Sequence, residues 1–253
     1  MEGKGTLFGV GVGPGDPDLM TVKAVQIIKA APVVAFFAKR GKKGNAWGTA
    51  ERYVGASAEH LALTYPYTVE LPPQHPEYVN ALDHFYGESA ARISERLSAG
   101  LDVAVLCEGD PLFYGSFIYL HDRLAKHHDC RVIPGITSFA GCAARAGLPL
   151  VSTDRVFSII PGTLPEGELE TKLRAADAAA IIKLGSHYGK VRRILDRLGR
   201  TERALFFEHG TTEHEVFVPL NEKTDDRAIY FSLILLPAHD GELYRSRDRA
   251  SSS

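Results

Sequence analysis

The sequence predicts an α/β fold in two consecutive domains, on three observations. Short apolar runs rich in β-branched and aromatic residues alternate with segments of helical period, the order that builds parallel-rich sheets covered by helices. Glycine-rich turns leave two of those runs, at residues 9–16 and 107–116. Near the middle, Pro134-Gly135-Ile136-Thr137-Ser138 breaks the pattern, and a small-residue helix, Phe139–Ala146, follows. The 253 residues suit two α/β units of ordinary size. The expected division is 1–132 for the first domain, 133–243 for the second and 244–253 for a frayed polar tail.

Thr6–Val12 (TLFGVGV) opens the chain as a buried strand. Met20, Ala24, Ile27, Ile28 and Ala31 then fall at i, i+4, i+7, i+8 and i+11, the apolar face of one helix. Val33–Phe37 (VVAFF) is the second strand. Residues 39–76, with Pro66, Pro72, Pro73 and Pro76, read as an irregular region holding one helix near Asn45–Val54. Leu82, Phe85, Tyr86, Ile93 and Leu97 outline the next helix, with Gly100 placed to end it. Asp102–Cys107 is a strand, Phe117–Lys126 a helix, and a short strand surrounds Arg131–Ile133. In the second half, Val156–Ile160, Ala179–Leu184, Ala204–Phe207 and Ile229–Leu236 read as strands. No repeat of fixed period runs through the chain.

Composition narrows the classes of function. Hydrophobic residues make up 45% and charged residues 24%, the profile of a packed globular protein rather than a disordered, collagen-like or disulfide-built chain. Twenty-nine Lys and Arg against 31 Asp and Glu leave a net charge of -2, without the basic excess of a non-specific nucleic-acid binder. No apolar run approaches the roughly 20 residues that span a bilayer. Cys107, Cys130 and Cys142 form no CxxC pair and suit a reducing compartment. Met1–Gly5 carries no basic-then-apolar signal pattern. The expectation is a cytoplasmic protein with neither nucleic acid nor membrane as a partner.

The glycine-rich turn Gly9-Val10-Gly11-Val12-Gly13-Pro14-Gly15-Asp16 lets a ligand approach the backbone where side chains would block it. It is no dinucleotide fingerprint. GxGxxG counted from Gly9 puts Pro14 in the third glycine slot, and counted from Gly11 it puts Asp16 there. No Asp or Glu lies between Asp18 and Glu51 to bind a ribose hydroxyl. The second turn, Cys107-Glu108-Gly109-Asp110-Pro111-Leu112-Phe113-Tyr114-Gly115-Ser116, leaves the carboxyl end of a strand, where open α/β sheets bind ligands. Asp110 offers an acceptor to an ammonium or to ribose hydroxyls. Glycine at 109 supplies either a backbone angle closed to other residues or space for a ligand, and space is the expected reason.

Lys39, Arg40, Lys42 and Lys43 put four cations in five positions just after the second strand. They attract a polyanion at the ligand end of the sheet or form a solvated basic loop. Arg123, Arg145 and Arg155 are further cationic candidates. Phe113, Tyr114, Phe117 and Tyr119 offer rings to a flat ligand, although the last two fall in a predicted helix and are expected in its core. His209 and His214 flank Gly210–Glu213 with no third ligand at metal spacing, so no metal is expected. Cys107 is expected to be a small core residue.

Five motifs in order, GVGPGDPDLMT (11–21), EGDPLFYGS (108–116), IPGITS (133–138), IIPGT (159–163) and FFEHGTT (206–212), make the chain resemble the tetrapyrrole methylases. These are methyltransferases that use S-adenosylmethionine. The resemblance covers roughly residues 5–237. Within the family, LTYPYTVELP (63–72) and HFYGESAARISERLSAG (84–100) resemble the branch that methylates C20 of precorrin-2.

The resemblance implies two α/β domains with the active site in the cleft between them, in a homodimer. It implies cofactor contacts at Pro14, Glu108, Gly109, Asp110, Phe113, Thr137, Ser138, Leu184 and Gly210. The polycarboxylate substrate would meet Lys39, Arg40, Lys42 and Lys43. A relative that makes a sirohaem precursor carries an aspartate just after its second strand, whereas this chain has Phe36 and Phe37, so no acid–base role transfers there. No catalytic base is identified, with Asp16 and Glu108 open to either a base or a structural role. The cobalt-containing form of the substrate, and a non-catalytic S-adenosylmethionine sensor, stay open as alternatives.

Overall fold

The computed structural model describes residues 4–66 and 76–238. Residues 67–72 of the LTYPYTVELP stretch and the tail 244–253 therefore lie outside the described residues. The chain divides into two compact units, Met1–Thr137 and Ser138–Ser253, each built on a five-stranded sheet.

In the first unit β1 (Leu7–Gly11), β2 (Val33–Ala38), β3 (Glu59–Thr64), β4 (Val103–Cys107) and β5 (Cys130–Ile133) lie in the order β3-β2-β4-β1-β5. Every pairing is parallel. The crossovers carry α1 (Val22–Ala30), α2 (Asn45–Ala50), α3 (Pro76–Ser98) and α4 (Phe117–Leu124). Because successive strand residues face opposite sides, the central strand β4 serves two cores. Val103, Val105 and Cys107 pack with Ile93 and Leu97 of α3 and with Phe117, Leu120 and Leu124 of α4. Ala104 and Leu106 pack with Ala24 and Ile28 of α1 and with Trp47 and Ala50 of α2. Each fully buried Leu or Ile stabilises the unit by about 1.5–3 kcal/mol. A Cβ on Gly9 would stand 2.5 Å from the Phe117 ring, so glycine in β1 is what lets α4 close on the sheet.

The first unit ends after β5, which pairs with β1 from Leu7↔Cys130 to Val10↔Ile133. The strand and the Pro134–Thr137 exit that follows it group with the first unit, so the division falls a few residues beyond the expected one. The region 39–76 also holds more order than expected. β3 runs through it as an edge strand, with only Leu61 and Leu63 buried.

The second unit holds β6 (Phe157–Pro161), β7 (Ala178–Ile182), β8 (Leu205–Glu208), β9 (Val216–Pro219) and β10 (Ser232–Leu236), in the order β6-β7-β10-β8-β9. Here the expectation of a parallel-rich sheet is corrected. Only β6 and β7 pair in parallel, while β10 runs antiparallel to both β7 and β8, and β9 antiparallel to β8. The short connection 209–215 reverses the chain between β8 and β9, which a parallel crossover cannot do in that length. One face packs on α6 (Glu166–Ala175) and α7 (Tyr188–Arg197) through Leu169, Leu173, Val191 and Ile194. The other packs on α5 (Ser138–Ala146) through Cys142, Ala143 and Ala146.

Gly100 ends α3 as expected, and by a defined motif. Its φ is +83°. Its N–H donates to Leu97 C=O (3.1 Å) and the Leu101 N–H to Arg96 C=O (3.0 Å), the Schellman pairing. Gly100→Ala is expected to cost about 1–2 kcal/mol of stability while ligand affinity stays at the wild-type value. Chemical denaturation of both proteins measures it, and an unchanged unfolding midpoint would refute the role given to this angle.

Candidate active site

Three adjacent strands of the first sheet, β4, β1 and β5, release the chain at the same edge, and each exit contains glycine. Their backbones touch. Gly13 and Gly109 form an isolated antiparallel bridge, with the Gly109 N–H donating to Gly13 C=O at 2.8 Å and the Gly13 N–H to Gly109 C=O at 3.4 Å. A Cβ on Gly135 would stand 2.0 Å from the Gly109 carbonyl oxygen, and one on Gly11 2.6 Å from it. Any side chain at 11 or 135 would push the exits apart. The expected contacts Pro14, Glu108, Gly109, Asp110 and Thr137 thus gather around one backbone junction, and Thr137 Cα lies 3.8 Å from where a Gly109 Cβ would be.

Gly109 itself has φ +62°, and its Cβ position meets nothing closer than 3.8 Å. The backbone angle already favours glycine before any ligand is considered, and the open Cβ position leaves room beside it as well. Asp110 is likewise placed to build the loop. Its Oδ1 accepts from the Leu112 N–H (2.9 Å) and its Oδ2 from the Gly135 N–H (3.1 Å). One carboxylate therefore ties the β4 exit to the β5 exit. Asp16 caps a short turn of 3₁₀ helix, Pro17–Leu19, by accepting the Asp18 N–H at 2.8 Å.

Glu108 keeps an exposed face, and the protein around the rest of the carboxyl raises its pKa by desolvation. A hydrogen bond with Asn45 and the charge of Lys39 pull the other way. Phe113 is half-buried and meets Tyr114 edge to face, with centroids 4.9 Å apart.

The remaining expected contacts belong to the second unit. Ser138 is exposed at the start of α5. Leu184 is fully buried in the α6/α7 core, so only its backbone is left for a ligand. Gly210 lies against α5, where a Cβ would come within 2.3 Å of Cys142 Sγ. That thiol is pushed up to about 12 by burial, with the Glu215 carboxylate adding to the rise, and it stays protonated and inert at neutral pH. Burial raises the Cys107 thiol in the same way.

Backbone strain marks residues that periodicity did not single out. Tyr114, Lys183, His209 and Thr211 adopt φ of +53°, +56°, +47° and +69°. Each is the chain neighbour of Phe113, Leu184 or Gly210. Non-glycine residues in this region cost about 1 kcal/mol or more each, and such outliers concentrate at functional sites. Sequence carries no direct signal of this, because these side chains do not announce a left-handed angle.

Of the four basic-loop residues, all exposed, Lys43 is paired with Glu51 at 2.8 Å and Lys39 acts on Glu108. Arg40 and Lys42 form no ion pair among the described residues. Arg123, Arg145 and Arg155 are engaged by Asp83, Glu215 and the Ala238 carbonyl. Phe36 packs tilted against Trp47 and Phe37 stacks on Tyr65, so the position of the relative's aspartate is filled by rings. Phe117 is core as expected, but Tyr119 is half-exposed and stacks on Tyr86, because the buried stripe of α4 runs through Phe117, Leu120 and Leu124. Among the described residues no group of three or more His, Cys, Asp or Glu is gathered as metal ligands. His209 and His214 face each other as rings with centroids 6.4 Å apart.

The junction makes a graded prediction. Gly109→Ala, with room for its methyl, should lose about 1–2 kcal/mol from the angle alone, with or without ligand. Gly135→Ala has the same small side chain but meets a carbonyl head-on, and should lose more. Thermal melts rank the two variants, and a Gly135→Ala protein as stable as wild type would refute the close approach.

The chain is 47% identical to precorrin-2 C(20)-methyltransferase of Sinorhizobium sp. over 93% of its own length and 96% of that protein's. It is 29% identical to cobalt-precorrin-2 C(20)-methyltransferase of Salmonella typhimurium over 92% and 96% of the two lengths. A solved structure, uroporphyrin-III C-methyl transferase from Thermus thermophilus complexed with S-adenyl homocysteine, superposes with a TM-score of 0.63 at 25% identity, over 96% of this chain and 100% of that one. The sequence model of the Tetrapyrrole (Corrin/Porphyrin) Methylases matches residues 6–224, and with all three glycine exits of the first sheet inside that match, the chain belongs to this family.

Proposed function

We propose that the protein is an S-adenosylmethionine-dependent methyltransferase that methylates C20 of metal-free precorrin-2, a step of cobalamin biosynthesis. The observation that carries the reading is the end-to-end 47% identity to a relative named for that reaction. The lower 29% identity to the cobalt-precorrin-2 relative favours the metal-free substrate. The same reading brings a cytoplasmic homodimer with no metal requirement; no described helix is long and apolar enough to cross a membrane.

The residues present fit an S-adenosyl ligand. Gly109 and Gly185 have φ of +62° and +40°, and no protein atom within 3.4 Å of where a Cβ would stand, so backbone at two strand exits is open to close approach. The residues that would hold it are Pro14, Glu108–Asp110, Phe113, Thr137, Ser138, Leu184 and Gly210. When bound, the ligand supplies a methyl group already activated by its sulfonium. The protein's work is then mainly alignment, whose effective molarity reaches about 10⁵ M or more in well-oriented reactions. The locked junction of Gly11, Gly109 and Gly135 suits that work, because it fixes the exits without mobile side chains. Arg40 and Lys42, with Lys39 and Lys43 beside them, give the substrate carboxylates a positive field.

Incubation with methyl-labelled S-adenosylmethionine and metal-free precorrin-2 should give a product with one label, at C20 by NMR. A label at another ring carbon, or incorporation only into the cobalt form, would overturn the assignment. No incorporation into either, alongside tight donor binding, would mean a sensor.

Reversing charge on the basic loop tests the substrate side. Arg40→Glu with Lys42→Glu is expected to raise the precorrin-2 KM several-fold at low salt and much less at about 0.5 M salt, where screening shortens the reach of surface charge. Affinity for S-adenosylhomocysteine should stay at the wild-type value. A KM unchanged at both ionic strengths would return the loop to a solvated surface.

A further inference from the structure

The second unit contains a buried carboxylate that none of the family motifs includes. The Glu215 side chain is 7% exposed, although it starts from the β8–β9 connection at the surface of the unit. Both its oxygens are used. Oε2 accepts the Thr211 N–H at 2.7 Å, and Oε1 pairs with Arg145 Nε at 2.9 Å. Arg145 is in the last turn of α5, the helix that begins at Ser138 and presents Cys142 to Gly210.

The loop that this carboxylate grips is strained. His209 and Thr211, on either side of Gly210, both have positive φ, and side chains seldom tolerate that angle without help from their surroundings. Local hydrogen bonds close part of the turn: the Thr212 N–H and Oγ1 both donate to His209 C=O, at 3.0 and 2.7 Å. At its start the turn is fastened by the His209 N–H, which donates to Phe231 C=O at 2.9 Å. Glu215 fastens its other side, because its second oxygen reaches α5. Charge-assisted hydrogen bonds of this kind are the stronger class, and a buried acceptor removed from its donor leaves that donor unsatisfied.

We propose that Glu215, bridged by Arg145 to α5, is a positioning residue for the methyl donor: it holds the strained His209–Thr212 turn so that Gly210 and Ser138 keep a fixed spacing. The inference rests on the reading of Gly210 and Ser138 as donor contacts. It assigns a role to the only candidate cation of α5, Arg145, which pairs within the unit instead of meeting substrate.

Calorimetric titration of the full chain with S-adenosylhomocysteine, beside precorrin-2 KM and a thermal melt, tests it. Glu215→Ala should raise the S-adenosylhomocysteine Kd about tenfold and leave the precorrin-2 KM within about twofold. Glu215→Gln keeps an acceptor for the Thr211 N–H and should recover most of the affinity. Arg145→Met, which keeps the acceptor but cuts the tie to α5, should fall between the two. A folded Glu215→Ala protein with wild-type Kd would overturn the proposal, as would a rise in KM parallel to the rise in Kd, the mark of general loosening. If Glu215→Ala does not fold, Arg145→Met decides: an unchanged Kd there overturns the proposal and a raised one supports it. Wild-type protein that takes up no S-adenosylhomocysteine would overturn the donor reading and this inference together, whereas wild-type binding with unaltered variants overturns the inference alone.

Discussion

The carbonyl oxygen of Gly109 lies where no neighbour with a side chain fits: a Cβ on Gly135 would be 2.0 Å from it and a Cβ on Gly11 2.6 Å. Those three residues belong to the exits of β4, β5 and β1, strands whose own order is set by burial of Val103, Val105, Leu7 and their neighbours on both faces. The sheet brings the exits side by side, and the glycines let them close into a single backbone surface. Asp110 then spans two of them with one carboxylate. Position of the loops, exposure of Glu108 and the open backbone at Gly109 all follow from that contact. In a reaction where alignment supplies much of the rate, a junction made of backbone has an advantage over one made of side chains, since it has no rotamers to order.

The second unit reaches a comparable result by other means. Its turn at 209–212 has only one glycine between two residues at positive φ, so the conformation is not intrinsic to the local sequence. A buried carboxylate paired with an exposed guanidinium supplies what glycine supplies in the first unit. The difference has a chemical side. The glycine contacts themselves carry no charge, while a carboxylate–guanidinium tie depends on charge, and removing the guanidinium leaves the buried carboxylate without its cation.

Much of this was legible in the sequence, and the parts that were not share a cause. Strands β1, β2, β4 and β7 were visible because they are buried on both faces and read as unbroken apolar runs. Edge strand β3 escaped because EHLALT buries two residues and reads as polar loop between prolines. The direction of β10 was illegible because side-chain period is the same for parallel and antiparallel strands, and β9 was not expected at all, because VFVP is short and has no fully buried residue. At the site, the glycine exits announced themselves, but the reason for Gly109 did not: a φ of +62° leaves no trace in residue spacing. Asp110 was found as an acceptor, but its tie to Gly135 was not, since that partner lies on a different exit. Glu215 was missed altogether, because a lone acid after His214 looks like surface until Arg145 is seen to reach it.

The order of strands in the first sheet also bears on how the chain is made. β1 leaves the ribosome long before either of its sheet neighbours: Leu7 pairs with Val103 on one side and with Cys130 on the other. At roughly 5–20 residues per second of synthesis, the strand spends many seconds as an exposed apolar segment before either partner exists. β2 and β3 pair with each other earlier, but they cannot cover β1, which is separated from them by β4. The nascent first unit is therefore a half-sheet with an orphan strand until the β4 segment emerges to join β1 to β2, and only once β5 follows can its glycine exits lock. A chaperone that shelters β1 over that interval would be holding the segment that later carries Gly11 to the glycine junction.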